Sequence, residues 1–123
     1  MRYLTARKRA EGKGSAGHGA EHHWFMQVSA VALALLTPFF IFIVGRALGA
    51  GHDEVLALFQ RPWPVLVIGL MLVVGLIHAR SGAQTMIEDY LQGGRRKAAI
   101  IFVTVLVYLL IATTLYALAK LAL

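Results

Sequence analysis

The sequence contains no cysteine, which excludes a disulfide scaffold, a thiolate metal site and a cysteine nucleophile. Negative charge is also scarce, with 6 acidic residues against 12 lysines and arginines in 123 residues. A small basic protein suggests nucleic-acid binding, but here the positive charge adjoins long apolar segments. Orientation in a membrane explains that placement better, so we expect lipid and no nucleic acid as a partner.

Hydrophobic residues make up 59% of the chain, whereas about 45–50% is usual for soluble domains. They are concentrated behind a polar, basic tail over residues 1–23. Residues 24–123 form the predicted membrane domain, with helices at about 24–48, 63–91 and 95–120. Each apolar run supplies the roughly 20 residues that span a hydrocarbon core as a helix, and the alternating polarity of barrel strands is absent. The predicted fold class is therefore an all-α integral membrane protein with three transmembrane helices.

The first apolar run begins too far from the N-terminus for a secretory signal and is interpreted as a retained helix. Lysine and arginine counts then predict the topology, because cytoplasmic segments carry the excess. The tail and the loop between the second and third helices hold eight: Arg2, Arg7, Lys8, Arg9, Lys13, Arg95, Arg96 and Lys97. The opposite side holds three: Arg46, Arg61 and Lys120. The N-terminus is expected in the cytoplasm and the C-terminus outside.

The second helix carries nearly all the polar side chains of the three spans: His78, Arg80, Ser81, Gln84, Thr85, Glu88 and Asp89. Such groups are costly within a membrane and usually functional. His78 lies about 21 Å beyond Pro64 along the helix. It is either a neutral histidine donating to a carbonyl of a neighbouring helix or an axial haem ligand.

Small residues surround His78 on its helix: Gly75, Ala79 and Gly82. They would admit either a flat macrocycle or the backbone of a partner helix. The other histidines occur in the tail or the outer loop. A second axial ligand would therefore come from another chain.

Asp89 and Tyr90 end the same helix. Asp89 returns to the face of His78, about 16 Å further along. A carboxylate and a phenol there could hydrogen-bond and protonate a quinone carbonyl; the alternative is an interfacial tyrosine beside a solvated aspartate. Glu88 is expected to be solvated. Arg80, about 200° around the helix from His78, is expected to extend to the lipid head groups.

The pattern H-x3-G-x6-D-Y, formed by His78, Gly82, Asp89 and Tyr90, resembles the second transmembrane helix of the small hydrophobic membrane anchors of succinate dehydrogenase (respiratory complex II). The stretch over residues 23–33, HWFMQVSAVAL, is similar to that family's junction between tail and first helix. With three spans and a cytoplasmic N-terminus, the resemblance covers most of the chain.

The resemblance implies that His78 is an axial ligand to the iron of haem b, the other ligand coming from the companion membrane-anchor subunit. It implies that Tyr90 hydrogen-bonds the ubiquinone carbonyl, with Asp89 as the acid beside it. In the family, a flavoprotein oxidises succinate and an iron-sulfur subunit passes the electrons to quinone, linking the tricarboxylic acid cycle to the respiratory chain. This chain would contain no catalytic residue for succinate.

Many family members carry an arginine early in the first span, where a haem propionate can be met, and Gln27 occupies that position here. An alternative function is a cofactor-free structural or assembly subunit of another membrane complex, in which His78 only packs. A transporter or channel component is disfavoured, because helices one and three are almost free of ionisable residues and no discontinuous helix pair is visible. The absence of a Ser- and Arg-rich presequence favours a bacterial inner membrane.

Overall fold

A computed structural model describes residues 5–11 and 19–123 of the chain. Within these ranges all regular structure is helical. The helices are α1 (Ala6–Glu11), α2 (Gly19–Ala47), α3 (His52–Phe59), α4 (Pro62–Tyr90) and α5 (Gly93–Ala122). The predicted fold class is confirmed, since α2, α4 and α5 are each long and apolar enough to cross a membrane. Two of the counted tail cations, Arg2 and Lys13, lie outside the described residues.

Two helix boundaries lie at residue types whose backbone preferences suit those positions. Pro62 occupies the first turn of α4, where a missing N–H leaves no bond unmade. Gly93 takes a φ of +61°, a conformation that side chains disfavour, and so lets α5 follow α4 after only residues 91–92. The helix α3 was not predicted, because its eight residues are too short for a search based on membrane-length apolar runs.

The central element is α4. It packs against α2 on one side and α5 on the other, while α2 and α5, both described in full, do not approach each other. The three long helices therefore form a row rather than a closed bundle. We call the end of the row with Gly19, Tyr90 and Gly93 the tail end, and the opposite end, where α3 contacts α2, α4 and α5, the α3 end.

The best-packed cluster lies at the α3 end, where Ile43, Ile68 and Leu118 bring one buried side chain from each long helix. Elsewhere burial is sparse. In the most apolar 18-residue segment of each long helix, only 11% (α2), 11% (α4) and 6% (α5) of the residues are buried within the chain. The row therefore has too little internal core to be stable in water, and its apolar faces require lipid or other protein around them.

Candidate functional site

The shortest side-chain hydrogen bond between helices in the described part of the chain joins α2 to α4. Ser29 Oγ lies 2.7 Å from His78 Nδ1, and Ser29 is only 5% exposed. His78 precedes the end of α4 at Tyr90 by about 18 Å, and Ser29 follows the start of α2 at Gly19 by about 15 Å. Because the two helices run antiparallel from the tail end, these positions fall at one depth.

The partner of His78 is thus a hydroxyl of a neighbouring helix, in place of the carbonyl that the packing alternative assumed. The same Ser29 Oγ lies 2.7 Å from Phe25 O and 3.1 Å from Met26 O, both on its own helix. In the described part of the chain, His78 Nε2 has no hydrogen bond, and no buried side-chain nitrogen or oxygen lacks a partner. Nε2 therefore reaches the surface of the chain, where something outside it can bind.

Two glycines explain how α2 comes close enough for this contact. A Cβ at Gly75 would meet Leu33 Cδ2 at 3.7 Å, and one at Gly82 would meet Met26 Cε at 4.0 Å. Both glycines face α2, so of the two uses considered for small residues near His78 they serve helix packing. Ala79 is exposed.

Arg80 turns to the other neighbour of α4. Its Nε–H donates to Thr104 Oγ1 on α5 at 3.1 Å, in keeping with the predicted rotation away from His78. Thr104 lies about 16 Å from the start of α5, a depth close to that of Arg80. This bond directs the side chain towards α5, and its extension to the lipid head groups stays a prediction.

Asp89 and Tyr90 lie at the tail end and are both exposed, Tyr90 at 83%. Among the described residues neither side chain has a hydrogen-bond partner, and both are far from His78 along α4. Gln27 is also exposed, and it lines an open apolar groove of about 540 Å³ on α2 with Trp24 and Val28. These three predicted residues are accessible to molecules outside the chain.

Glu88 is exposed, as expected, and it also has two partners within the chain. It accepts a hydrogen bond from Gln84 Nε2 at 3.0 Å and pairs with Arg96 Nη2 at 3.5 Å. The pair bridges the turn between α4 and α5. With side chains 44% and 38% exposed, it contributes at most about 1 kcal/mol.

Sequence reasoning missed Ser29 and Thr104, the partners of His78 and Arg80. A usable signal was present. Each is a hydroxyl in an otherwise apolar run, at the depth of His78 or Arg80 once the helices are counted from a common end. Pairing polar residues by depth would have suggested both contacts.

Comparison with known proteins identifies relatives over the whole chain. The family described as succinate dehydrogenase/fumarate reductase transmembrane subunit matches residues 1–112. A succinate dehydrogenase hydrophobic membrane anchor subunit from Paracoccus denitrificans is 52% identical over 123 residues, covering 100% of this chain and 95% of the relative. The corresponding protein from Rickettsia conorii is 30% identical, covering 77% and 76%. No solved structure gives a significant match.

The contact between Arg80 and Thr104 leads to a prediction about stability. Thr104→Val keeps the shape but removes the acceptor, and we expect a loss of about 0.6–1.7 kcal/mol, the range for hydrogen bonds between membrane helices. Thermal unfolding of the detergent-solubilised protein measures it. Thr113→Val is the matched control, because Thr113 bonds only carbonyls of its own helix, Leu109 O and Leu110 O. Equal losses in the two variants would contradict a role for the contact between helices.

Proposed function

The chain belongs to the succinate dehydrogenase/fumarate reductase transmembrane subunit family, and from this premise we propose that it is a hydrophobic membrane anchor of succinate dehydrogenase. The observation that carries the proposal is 52% identity along the whole chain to a protein of that name. The sparse burial of α2, α4 and α5 supports an anchor that shares its surface with lipid and with a companion anchor subunit. Flavoprotein and iron-sulfur subunits would perform succinate oxidation outside this chain.

Haem b is part of the proposal, and the residues around His78 fit it. No group of three or more histidines, cysteines, aspartates or glutamates within the described ranges could hold a metal ion alone. A single imidazole with an accessible Nε2 is, however, what one side of a haem iron requires. The second axial ligand would come from the companion anchor. When bound, the haem would supply a one-electron carrier.

The haem assignment predicts the outcome of replacing His78. In the purified complex, His78→Ala should abolish the b-type band of the reduced-minus-oxidised spectrum, because one axial ligand is lost. His52→Ala is the matched control, since His52 begins α3 at the opposite end and is exposed; its band should equal that of the wild type.

The result must be separated from failed assembly. Co-purification of all subunits with the His78→Ala chain establishes that the complex forms, and added imidazole should restore part of the band in His78→Gly. An unchanged band in His78→Ala would overturn the ligand role. No band in the wild type would favour the cofactor-free structural subunit, in which the bond to Ser29 alone accounts for His78.

We propose the tail end as one wall of the ubiquinone site. Reduction of a quinone to a quinol takes up two electrons and two protons. The exposed Tyr90 hydroxyl can donate a hydrogen bond to a quinone carbonyl, and the adjacent Asp89 can exchange protons with water at the membrane boundary. Because Tyr90 is so exposed on this chain, companion and iron-sulfur subunits would have to complete the pocket.

Tyr90→Phe tests this assignment by removing only the hydroxyl. We expect succinate-to-quinone turnover to fall by about tenfold, the scale of one lost hydrogen bond to the quinone carbonyl, while succinate-to-artificial-acceptor activity stays unchanged. Tyr116→Phe is the control, since Tyr116 is also exposed but lies towards the end of α5. Full quinone turnover in Tyr90→Phe would exclude the role, and equal loss of both activities would indicate failed assembly.

We further propose a bacterial inner membrane location with the tail end in the cytoplasm. The excess of lysine and arginine in the tail and around Arg95 supports this orientation, and the relative from Paracoccus denitrificans agrees with the location. A protease-cleavable tag at the C-terminus should be cut in intact spheroplasts, and one at the N-terminus only in inverted vesicles. The reverse pattern would overturn the orientation.

A further inference from the structure

We propose that Ser29 is a positioning residue for His78: its hydroxyl fixes the imidazole in the tautomer that leaves Nε2 free to bind iron. This inference rests on the proposed haem function. It starts from the buried Ser29 Oγ, which has three polar neighbours: Phe25 O, Met26 O and His78 Nδ1.

The proton count decides the direction of each bond. A serine hydroxyl has one hydrogen to donate, whereas backbone carbonyls can only accept. Two oxygens 2.7 Å apart, as Ser29 Oγ and Phe25 O are, require a hydrogen between them. The hydroxyl hydrogen therefore points to Phe25 O, with Met26 O as a longer second acceptor. The 2.7 Å contact to His78 must then be made by an Nδ1–H that donates to Ser29 Oγ.

The opposite assignment leaves two conflicts. If the hydroxyl donated to Nδ1, Ser29 Oγ and Phe25 O would face each other at 2.7 Å with no hydrogen between them. Nε2 would then carry the ring hydrogen and present an N–H donor to an apolar surface at membrane depth. An unsatisfied donor in hydrocarbon is strongly unfavourable, because lipid offers it no acceptor. The first assignment avoids both conflicts.

The bond would act on the iron in two ways. It holds the imidazole ring at one rotation, since Ser29 is buried on a helix packed closely through Gly75 and Gly82. By accepting the Nδ1 hydrogen, it would also strengthen the electron donation from Nε2 to the iron. A stronger electron donor stabilises ferric over ferrous iron, so Ser29 would lower the midpoint potential of the haem.

The test is a series of side chains at position 29 in the purified complex, with the haem midpoint potential and the retention of haem as readouts. Ser29→Ala should raise the potential and weaken haem binding by about 10–100-fold, the usual effect of losing such a partner. Ser29→Thr should restore both values. Threonine can bond its own helix in the same way, as Thr37 Oγ1 does to Leu33 O at 2.7 Å. Ser29→Cys, a weaker acceptor, should fall between Thr and Ala.

Thr37→Val is the matched control, because it removes a hydroxyl from the same helix without contacting His78, and it should leave both readouts unchanged. A wild-type potential and haem retention in both Ser29→Ala and Ser29→Cys, with the band absent in His78→Ala, would overturn the role of Ser29 alone. A band that persists in His78→Ala would instead remove the haem assignment on which the inference rests. If Ser29→Ala prevents assembly, the order of the Thr and Cys potentials decides the question.

Discussion

Hydrocarbon offers no hydrogen bonds, and this constraint governs the polar groups of the three long helices. Backbone groups meet it by forming α2, α4 and α5. Intramembrane side chains meet it through partners at matching depth, His78 with Ser29 on one side of α4 and Arg80 with Thr104 on the other. The polar residues of the middle helix therefore determine which neighbour each of its faces meets.

The position of α4 between its two neighbours follows from these contacts and from small residues. Gly75 and Gly82 admit α2, and a Cβ at Gly69 would lie 3.4 Å from Leu118 Cδ1 of α5. In a membrane the hydrophobic effect does not drive helices together, so they associate by close packing, which small residues such as glycine allow. Because the backbones of α2 and α5 stay apart along their described lengths, both broad faces of the row are open, which suits a protein that shares its surface with the proposed companion anchor.

The proposed haem ligand and the proposed quinone-site residues lie at different depths of the same helix, α4. His78 lies within the membrane, partly buried, with one ring nitrogen engaged and the other free. Tyr90 and Asp89 lie at the tail end with no partner among the described residues. A haem ligand benefits from a ring fixed before the metal arrives, whereas a quinone site at a boundary between subunits requires groups that remain accessible. One continuous helix would set the spacing between the two.

The sequence by itself determined the all-helical class, the number of long apolar helices and the family, because each depends on local quantities: run length, composition and the spacing of His78, Gly82, Asp89 and Tyr90. It also placed Arg80 and His78 on different faces of one helix. Only the tertiary structure decided which helix each residue meets. Each feature found only in the structure depends on contacts between different helices. These features are the row arrangement, the packing at Gly75 and Gly82, the pairing of Glu88 with Arg96, and the bond between His78 and Ser29. Such pairings depend on the relative rotation and depth of packed helices, which no single helix's periodicity specifies.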